Sequence, residues 1–542
     1  MHIIYSILLF SYFFLLGRGL IILINKFSNK RLTLDNFILF DTSIIIFYPL
    51  IGLIYFSNLM FIFNFFFPLK FSILLYIIST PLILNAAERI KFKNYKKIYL
   101  FSILNLIIIS VSSYDINFQY DSGYYHLNYQ NWLRESKLVF GLNNLHGAYG
   151  TSSIIDYLSA PLWLGSNLIL LHYLTIAFLA VFLNFILYHI VLRENKFFFL
   201  SSLYIIIFCL LDNFGLNGGR NGFFTIPGII KPDIASGVLF FLSTTFLTSI
   251  LYKKNSKKIE FIFLNILIIY AYQLKISTAL LFFFFAYVLI KNKKLKIKEL
   301  VLTNLILLFW IIKSIALTSC IVYPVELTCL NLPWYNINSI TGVKNVTGDF
   351  NNSYFLGTSL IDWFNDWILI ELNQSITINF LTSFFIIYVL NKVITKKTNV
   401  KAATPYIPLI FIFFNLFIWI IGAPHPRFIY GLFAYIISLL AFKAYSPNLE
   451  LKINKNHQLI IFSLCLASIS LIPRINSYKA LFDNPFGGPE IVAPQIEYIN
   501  LKSNWVLPKN GDQCWINIDC VPDNINITNL KYLTFDTYIV EK

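Results

Sequence analysis

Charge is what this sequence has least of. Only 13% of its 542 residues are Asp, Glu, Lys or Arg, while 57% are hydrophobic and the mean hydropathy is +0.68. A soluble domain of this size leaves most residues touching water, so a composition this poor in charge excludes a soluble globular enzyme. Acids are scarcer than bases, 26 against 42, giving a net charge of +16. In a soluble protein that excess would point to nucleic acid. Here the bases sit in short tracts between apolar runs, so they report membrane orientation and no nucleic-acid partner is expected. A Walker-type phosphate loop is missing, and the loops on the basic side are too short for a nucleotide-binding domain, which argues against ATP-driven work by this chain alone. There is no CxxC pair and no His/Cys metal spacing, so no metal site is expected; the cofactor stays unknown and a divalent metal is not indicated. No internal repeat is visible, which disfavours a transporter built from repeated halves. The first apolar run lacks a basic n-region and a small-x-small cleavage site, and Arg18 interrupts it, so it reads as a retained helix.

What is there in abundance is apolar runs long enough to cross a bilayer. They predict an all-α polytopic membrane protein with about fourteen transmembrane helices, near 3–24, 37–57, 68–87, 98–112, 166–191, 198–212, 233–252, 259–273, 276–290, 299–317, 373–393, 404–422, 427–443 and 457–472. The pair 259–273 and 276–290 also fits one helical hairpin that does not fully cross. In this scheme the tracts ERIKFKNYKK (88–97), KKNSKK (253–258), KNKKLKIK (291–298) and TKKTNVK (395–401) share one side. NKFSNKR (25–31), RENK (193–196) and the 443–456 loop join them. The positive-inside rule makes that side the cytoplasm. The expectation is a multi-pass protein of the inner (cytoplasmic) membrane with both termini outside.

The chain then divides into transmembrane helices 1–112, an outward loop 113–165, helices 166–317, an outward loop 318–372, helices 373–472 and a small outward tail 473–542. Cys209 and Cys465 fall inside spans and read as inert core residues. Cys320 and Cys329 flank IVYPVELT, and Cys514 and Cys520 flank WINID, all on the oxidising side. Close pairs in that compartment suggest two local disulfides.

The outward segments hold the chemistry. The stretch QYDSGYYHLNYQNWLRESKLVFGLNNLHGAYGTSS (119–153) packs Asp121, His126, Arg134, Glu135 and His146 among aromatics, with Asp115 six residues before Asp121. A helix over 121–136 puts Asp121 and Tyr125 on one face and His126, Gln130 and Arg134 on another, with Tyr124, Tyr125, Tyr129 and Trp132 suited to the membrane interface. The small residues of GLNNLHGAYGTSS suit a close backbone approach to a ligand. In APHPRF, two prolines pin a turn that holds His425 and Arg427 at the outer interface; an Arg fork there suits a phosphate, while snorkelling to lipid phosphates is the plainer reading. Lys313 lies inside an apolar helix near its outer end, where an unpaired charge costs a few kcal/mol. Lys231 and Asp233 open a span after the glycine-rich NGGRNG around Arg220, and Lys275 lies on the same side. Two or three carboxylates with several Lys and Arg at an aromatic interface suit an anionic amphiphile such as a polyprenyl-phosphate sugar. A carboxylate can deprotonate an acceptor hydroxyl while Arg or Lys stabilises the phosphate leaving group.

The order of these features resembles the GT-C superfamily of integral-membrane glycosyltransferases. That resemblance implies a lipid-phosphate sugar donor, an essential acid in an outward loop bearing interfacial helices, and Asp121 as catalytic base. The acidic loop here follows the fourth span rather than the first, so three helices stand as an N-terminal addition, and no second acid adjoins Asp121. The YD…YH start, GLNNLHGAYGTSS and APHPRF also resemble a bacterial family of large multi-pass membrane proteins to which no activity attaches. Similar strings recur there with a YP after a mid-chain span and a tail like GDQCWINIDCVP. The function expected is sugar transfer from a polyprenyl-phosphate donor to a surface-glycan or lipid acceptor on the outer face. Asp115, His126, Arg134, His146, Arg220, Lys231, Asp233, Lys313, His425 and Arg427 are the candidate binding residues, and membrane lipids are the surroundings. The competing readings are an O-antigen-type polysaccharide polymerase or ligase, a lipid-linked oligosaccharide flippase, and a non-catalytic assembly scaffold.

Overall fold

The computed structural model describes residues 2–27, 38–69, 81–82, 85, 92–115, 118–192, 195–214, 232–253, 256–293, 295, 297–349, 359–395, 405–422, 424–445, 451, 461–462, 464–465, 468, 475–485, 487–501, 505–522, 527–532 and 535–540. These residues are mostly helical. Six helices are long and apolar enough to cross a membrane: Ile3–Lys26, Ile44–Asn64, Ile169–Leu192, Pro232–Tyr252, Lys298–Thr318 and Asn373–Ile394. Shorter apolar helices occupy Ile98–Tyr114, Lys196–Leu211, Ile276–Asn292, Tyr406–Gly422 and Tyr430–Tyr445. The protein is therefore a multi-pass, helical membrane protein, with six spans of full length and five shorter apolar helices among the described residues, against about fourteen expected over the whole chain. The expected spans 68–87 and 457–472 lie largely outside the described residues.

The bundle is built around two helices that are apolar on every side. Pro232–Tyr252 buries all its residues from Ile234 to Leu251, and Leu174–Leu192 is buried along most of its length. A helix with no polar face has to be wrapped by others. By contrast, Val301–Thr318 and Glu371–Ile394 expose large apolar side chains such as Leu302 and Phe385, as a lipid-facing flank requires. The first two spans cross in near backbone contact, because a Cβ on Gly52 would lie 2.0 Å from the Phe13 carbonyl oxygen. Small residues permit that approach, and dispersion contacts along the crossing reward it.

The second span starts later than its composition suggests. Ile38–Leu39 and Thr42–Ser43 pair as a hairpin whose turn residues Phe40 and Asp41 both have positive φ, 49° and 57°. That conformation is unfavourable for both residues and is held by partners from elsewhere. The Phe40 amide donates to Glu260 Oε1 (3.0 Å), Lys253 Nζ and Asn195 Nδ2 donate to Asp41 (2.6 and 2.7 Å), and Thr42 Oγ1 bonds His189 Nε2 (2.8 Å). The RENK and KKNSKK tracts thus meet at one end of the bundle. The helix Lys258–Leu274 carries Glu260 at that end and leads to Lys275 at the other. With 17 residues it is about 26 Å long at 1.5 Å per residue, short of a full crossing, and Leu281–Asn292 follows it after a break.

Beyond the spans, a helix Ile475–Asp483 and the antiparallel hairpins Tyr498–Asn500/Val506–Pro508 and Ile527–Tyr532/Phe535–Val540 add β structure to the expected all-α chain.

Candidate functional site

The site grows from one helix. Residues 120–135 are helical, as the sequence pattern predicts, with a widened π-type turn at Ser122–His126 running into Leu127–Glu135. Such turns re-aim side chains and recur at functional sites. After the wide turn, His126, Gln130 and Arg134 follow at α-helical spacing along one face. That face lies against the segment 153–163. His126 Nδ1 and Gln130 Nε2 both meet Asp156 Oδ1, at 3.1 and 3.2 Å, and Arg134 Nη1 donates to the Ala160 carbonyl at 3.0 Å. The Arg134 guanidinium stacks over Trp163, and Trp163 Nε1 donates to Gln130 Oε1 at 3.0 Å.

Asp156 was not among the candidates, yet it is the hub. It sits in the short helix Ile154–Ser159, capped by Ser153: the Ser153 hydroxyl accepts from the Ile155 amide, and Asp156 Oδ2 accepts from the Ser153 amide at 3.0 Å. This is an S-x-x-D capping box, a signal visible in SIID that the sequence expectations did not include. The carboxylate is 1% exposed and accepts from all three neighbours. His126 meets this carboxylate through Nδ1, and its Nε2 makes no hydrogen bond although the residue is 2% exposed.

Lys313 reaches the same region from Val301–Thr318. Its ammonium donates to Ser152 Oγ at 2.5 Å, approaches the Ser152 carbonyl at 3.4 Å, and lies over the Trp310 ring at 4.2 Å. Behind it the Tyr129 and Tyr157 hydroxyls bond each other at 3.1 Å, and burial pushes both phenols up. His146 faces Tyr124 and Tyr149 edge-on at 4.6 and 5.2 Å, and burial pushes it down to about 4. Its Nε2 also lacks a hydrogen bond.

A second cluster adjoins the first. Ser153 Oγ donates to the Leu274 carbonyl at 3.0 Å, and the next residue, Lys275, pairs with Asp233 and lies over the Phe428 ring at 3.8 Å. His425 is buried beside Phe428, with Trp419 Nε1 donating to its carbonyl at 3.0 Å and Trp367 Nε1 to the Pro424 carbonyl at 2.6 Å. Thus His126, Asp156, Lys313, Lys275 and Asp233 belong to one connected polar region at the bundle end opposite Glu260.

The tail closes over it. Cys514 is bridged to Cys520, and the loop they staple lies along the 120–135 helix. The Trp515 amide donates to the Gly123 carbonyl at 2.9 Å, Asn131 to the Ile516 carbonyl at 2.8 Å, Gln513 to the Tyr120 carbonyl at 2.9 Å, and Tyr120 to Asp512. Asn128 binds the Asn517 carbonyl and, from the other side, accepts from Tyr149 at 2.6 Å. Further along, Phe140 exchanges backbone bonds with Asp536 and Tyr538 at 2.9 and 3.0 Å. The second bridge, Cys320–Cys329, folds the loop after Lys313, whose Tyr323 ring lies against Gly150 and whose hydroxyl donates to the Gly147 carbonyl at 3.1 Å.

Several expectations change. Tyr129 and Trp132 are buried in protein, against Tyr157 and Tyr538, and do not face the interface. The space beside the glycines of GLNNLHGAYGTSS is filled by protein, by Trp334 and the Tyr538 carbonyl at Gly141, Val343 and Ser339 at Gly147 and Tyr323 at Gly150. As the separate faces expected of them imply, His126 and Asp121 part company: His126 meets Asp156, and Asp121 stands half-exposed at the start of the wide turn. Arg220 and Lys231 lie outside the described residues, as do the side chains of Asp115 and Arg427. Among the described residues no group of three His, Cys, Asp or Glu could hold a metal ion.

No curated protein and no solved structure matches this chain. The profile of the domain-of-unknown-function family DUF8201 matches residues 1–434, and the chain belongs to that family.

Proposed function

We propose that this protein is an outward-facing membrane glycosyltransferase that moves a sugar from a polyprenyl-phosphate donor to a surface-glycan or lipid acceptor. The observation that supports the reading is the polar region in which the buried pair His126 and Asp156 is tied to Ser153, whose neighbour Ser152 bonds the Lys313 ammonium, with Asp121 about one turn before His126 on the same helix. Transfer from a lipid phosphate needs both halves: a base for the acceptor hydroxyl and positive charge for the phosphate that leaves. Asp121 is the base in this reading, because its carboxylate is half-exposed at the mouth while His126 is enclosed one turn further in. The His126–Asp156 contact fixes the helix that presents Asp121. Basic tracts at the opposite end of the bundle support an outward placement of this region, on the face where such donors are presented.

The test is incorporation of labelled sugar from a polyprenyl-phosphate donor by membranes carrying each variant. Asp121→Asn keeps the size and removes the proton acceptor, so transfer should fall about 10²–10⁴-fold with the protein still inserted. His126→Gln should lower transfer less if the imidazole only positions the helix. Wild-type turnover by the Asp121→Asn form overturns the base assignment. No transfer by any form, including wild type, overturns the transferase reading and leaves a flippase or scaffold.

A further inference from the structure

The ammonium of Lys313 is enclosed and short of negative charge. The side chain is 2% exposed, and its hydrogen-bond partners are one hydroxyl and one carbonyl, both of Ser152. Its remaining surroundings include the rings of Trp310 and Tyr157. No carboxylate lies within ion-pair distance of it among the described residues. Asp156, the carboxylate of the neighbouring cluster, has both oxygens engaged by His126, Gln130 and Ser153. A buried ammonium held only by a hydroxyl and a carbonyl carries a desolvation cost of several kcal/mol, which an anion brought beside it would offset.

The helix that carries Lys313 says what else that anion has. Leu302, Leu305, Leu308 and Ile312 on Val301–Thr318 are exposed and apolar, a flank made for hydrocarbon that ends at the same level along the helix as the inward-turned Lys313. An amphiphile whose chain lies on that flank has its head at the level of Ser152. The Lys ammonium has three protons to give, and a phosphate oxygen can take the place of the Ser152 hydroxyl on one of them. We propose that Lys313 is the counter-charge for the phosphate of a lipid anion, with Ser152 as the group displaced on binding. This deepens the transferase reading and rests on it for the identity of the lipid as a polyprenyl phosphate; phospholipid headgroups offer the same chemistry.

The full chain, reconstituted in nanodiscs of phosphatidylcholine, is offered a long-chain polyprenyl phosphate, the matching neutral polyprenol, phosphatidylglycerol and inorganic phosphate, with bound species counted by native mass spectrometry. Wild type should prefer the polyprenyl phosphate over the polyprenol by about tenfold or more. Lys313→Met fills the same space without charge, is expected to unfold no earlier than wild type, and should erase the preference, whereas Lys313→Arg should retain it. A preference for phosphatidylglycerol equal to that for polyprenyl phosphate, lost in Lys313→Met, supports the counter-charge and assigns the occupant to bulk lipid. An undiminished preference in a folded Lys313→Met protein overturns the proposal, and so does competition by inorganic phosphate at equal concentration. A Lys313-dependent preference without sugar transfer keeps this site and sinks the transferase reading; transfer with an unchanged preference in Lys313→Met does the reverse.

Discussion

Adding one methyl group at Gly123 should loosen the tail from the site. An ideal Cβ there would lie 2.7, 2.8 and 2.9 Å from Cε2, Cδ2 and Cζ2 of Trp515. Carbon atoms in contact normally stand about 3.5–4.0 Å apart, so the indole has to retreat by close to 1 Å. It cannot do so alone, because its own amide is bonded to the Gly123 carbonyl and its ring packs edge-on against Phe118 at 5.6 Å. Overpacking of this kind costs about 1–3 kcal/mol. At about 1.4 kcal/mol per factor of ten, the Gly123→Ala substitution should raise the population with the tail undocked roughly 5- to 150-fold. Cys514 and Cys520 are both buried, so a reductant reaches their bridge through that population. The assay is the rate at which dithiothreitol opens the Cys514–Cys520 bridge, quenched with a mass-tagged maleimide and resolved by peptide. The Cys320–Cys329 bridge serves as internal control. An unchanged rate at Cys514–Cys520 would refute the reasoning, and equal acceleration at both bridges would show general destabilisation instead of a released tail.

Two further outcomes follow from the same structure. His146 ionises near 6.5 in an unfolded chain but is pushed down to about 4 by burial, so the unfolded state takes the proton first on acidification. Its contribution to stability is complete above about pH 6.5 and is lost as the pH falls toward 4; His146→Gln should flatten the drop in unfolding temperature across that window, and a drop as steep as wild type would contradict the assignment. Single cysteines in place of Asn510 and Lys293 should also report opposite sides: an impermeant maleimide should label the first in spheroplasts and the second only after permeabilisation, the reverse result overturning the orientation.

The sequence made the fully apolar spans legible, because length and composition alone decide whether a segment can sit in a bilayer. Pro232–Tyr252 and Ile169–Leu192 fall within a few residues of their expected positions. It misled where distant partners override local preference. ILFDTSIII reads as the start of a span, yet Glu260, Lys253 and Asn195 hold Phe40 and Asp41 in a turn that neither residue favours. At the site, the helical spacing of His126, Gln130 and Arg134 was readable as a shared face, but what that face meets was not. Asp156 carries a capping signal that fully explains an acid at that position, so its second role is hidden. The tail is hidden for another reason: Asn128 and Asn517 are 389 positions apart, and no local pattern pairs them.

That separation sets an order on how the protein is made. The 120–135 helix leaves the ribosome long before the loop that covers it, and Asn128, Asn131 and the Gly123 carbonyl have to wait for partners at 515–517. Until then the membrane holds an inserted but unfinished protein, whose mouth shows bare backbone acceptors and a glycine groove with no indole in it. The Cys514–Cys520 bridge staples the loop that fills that groove, so it belongs to the finished face.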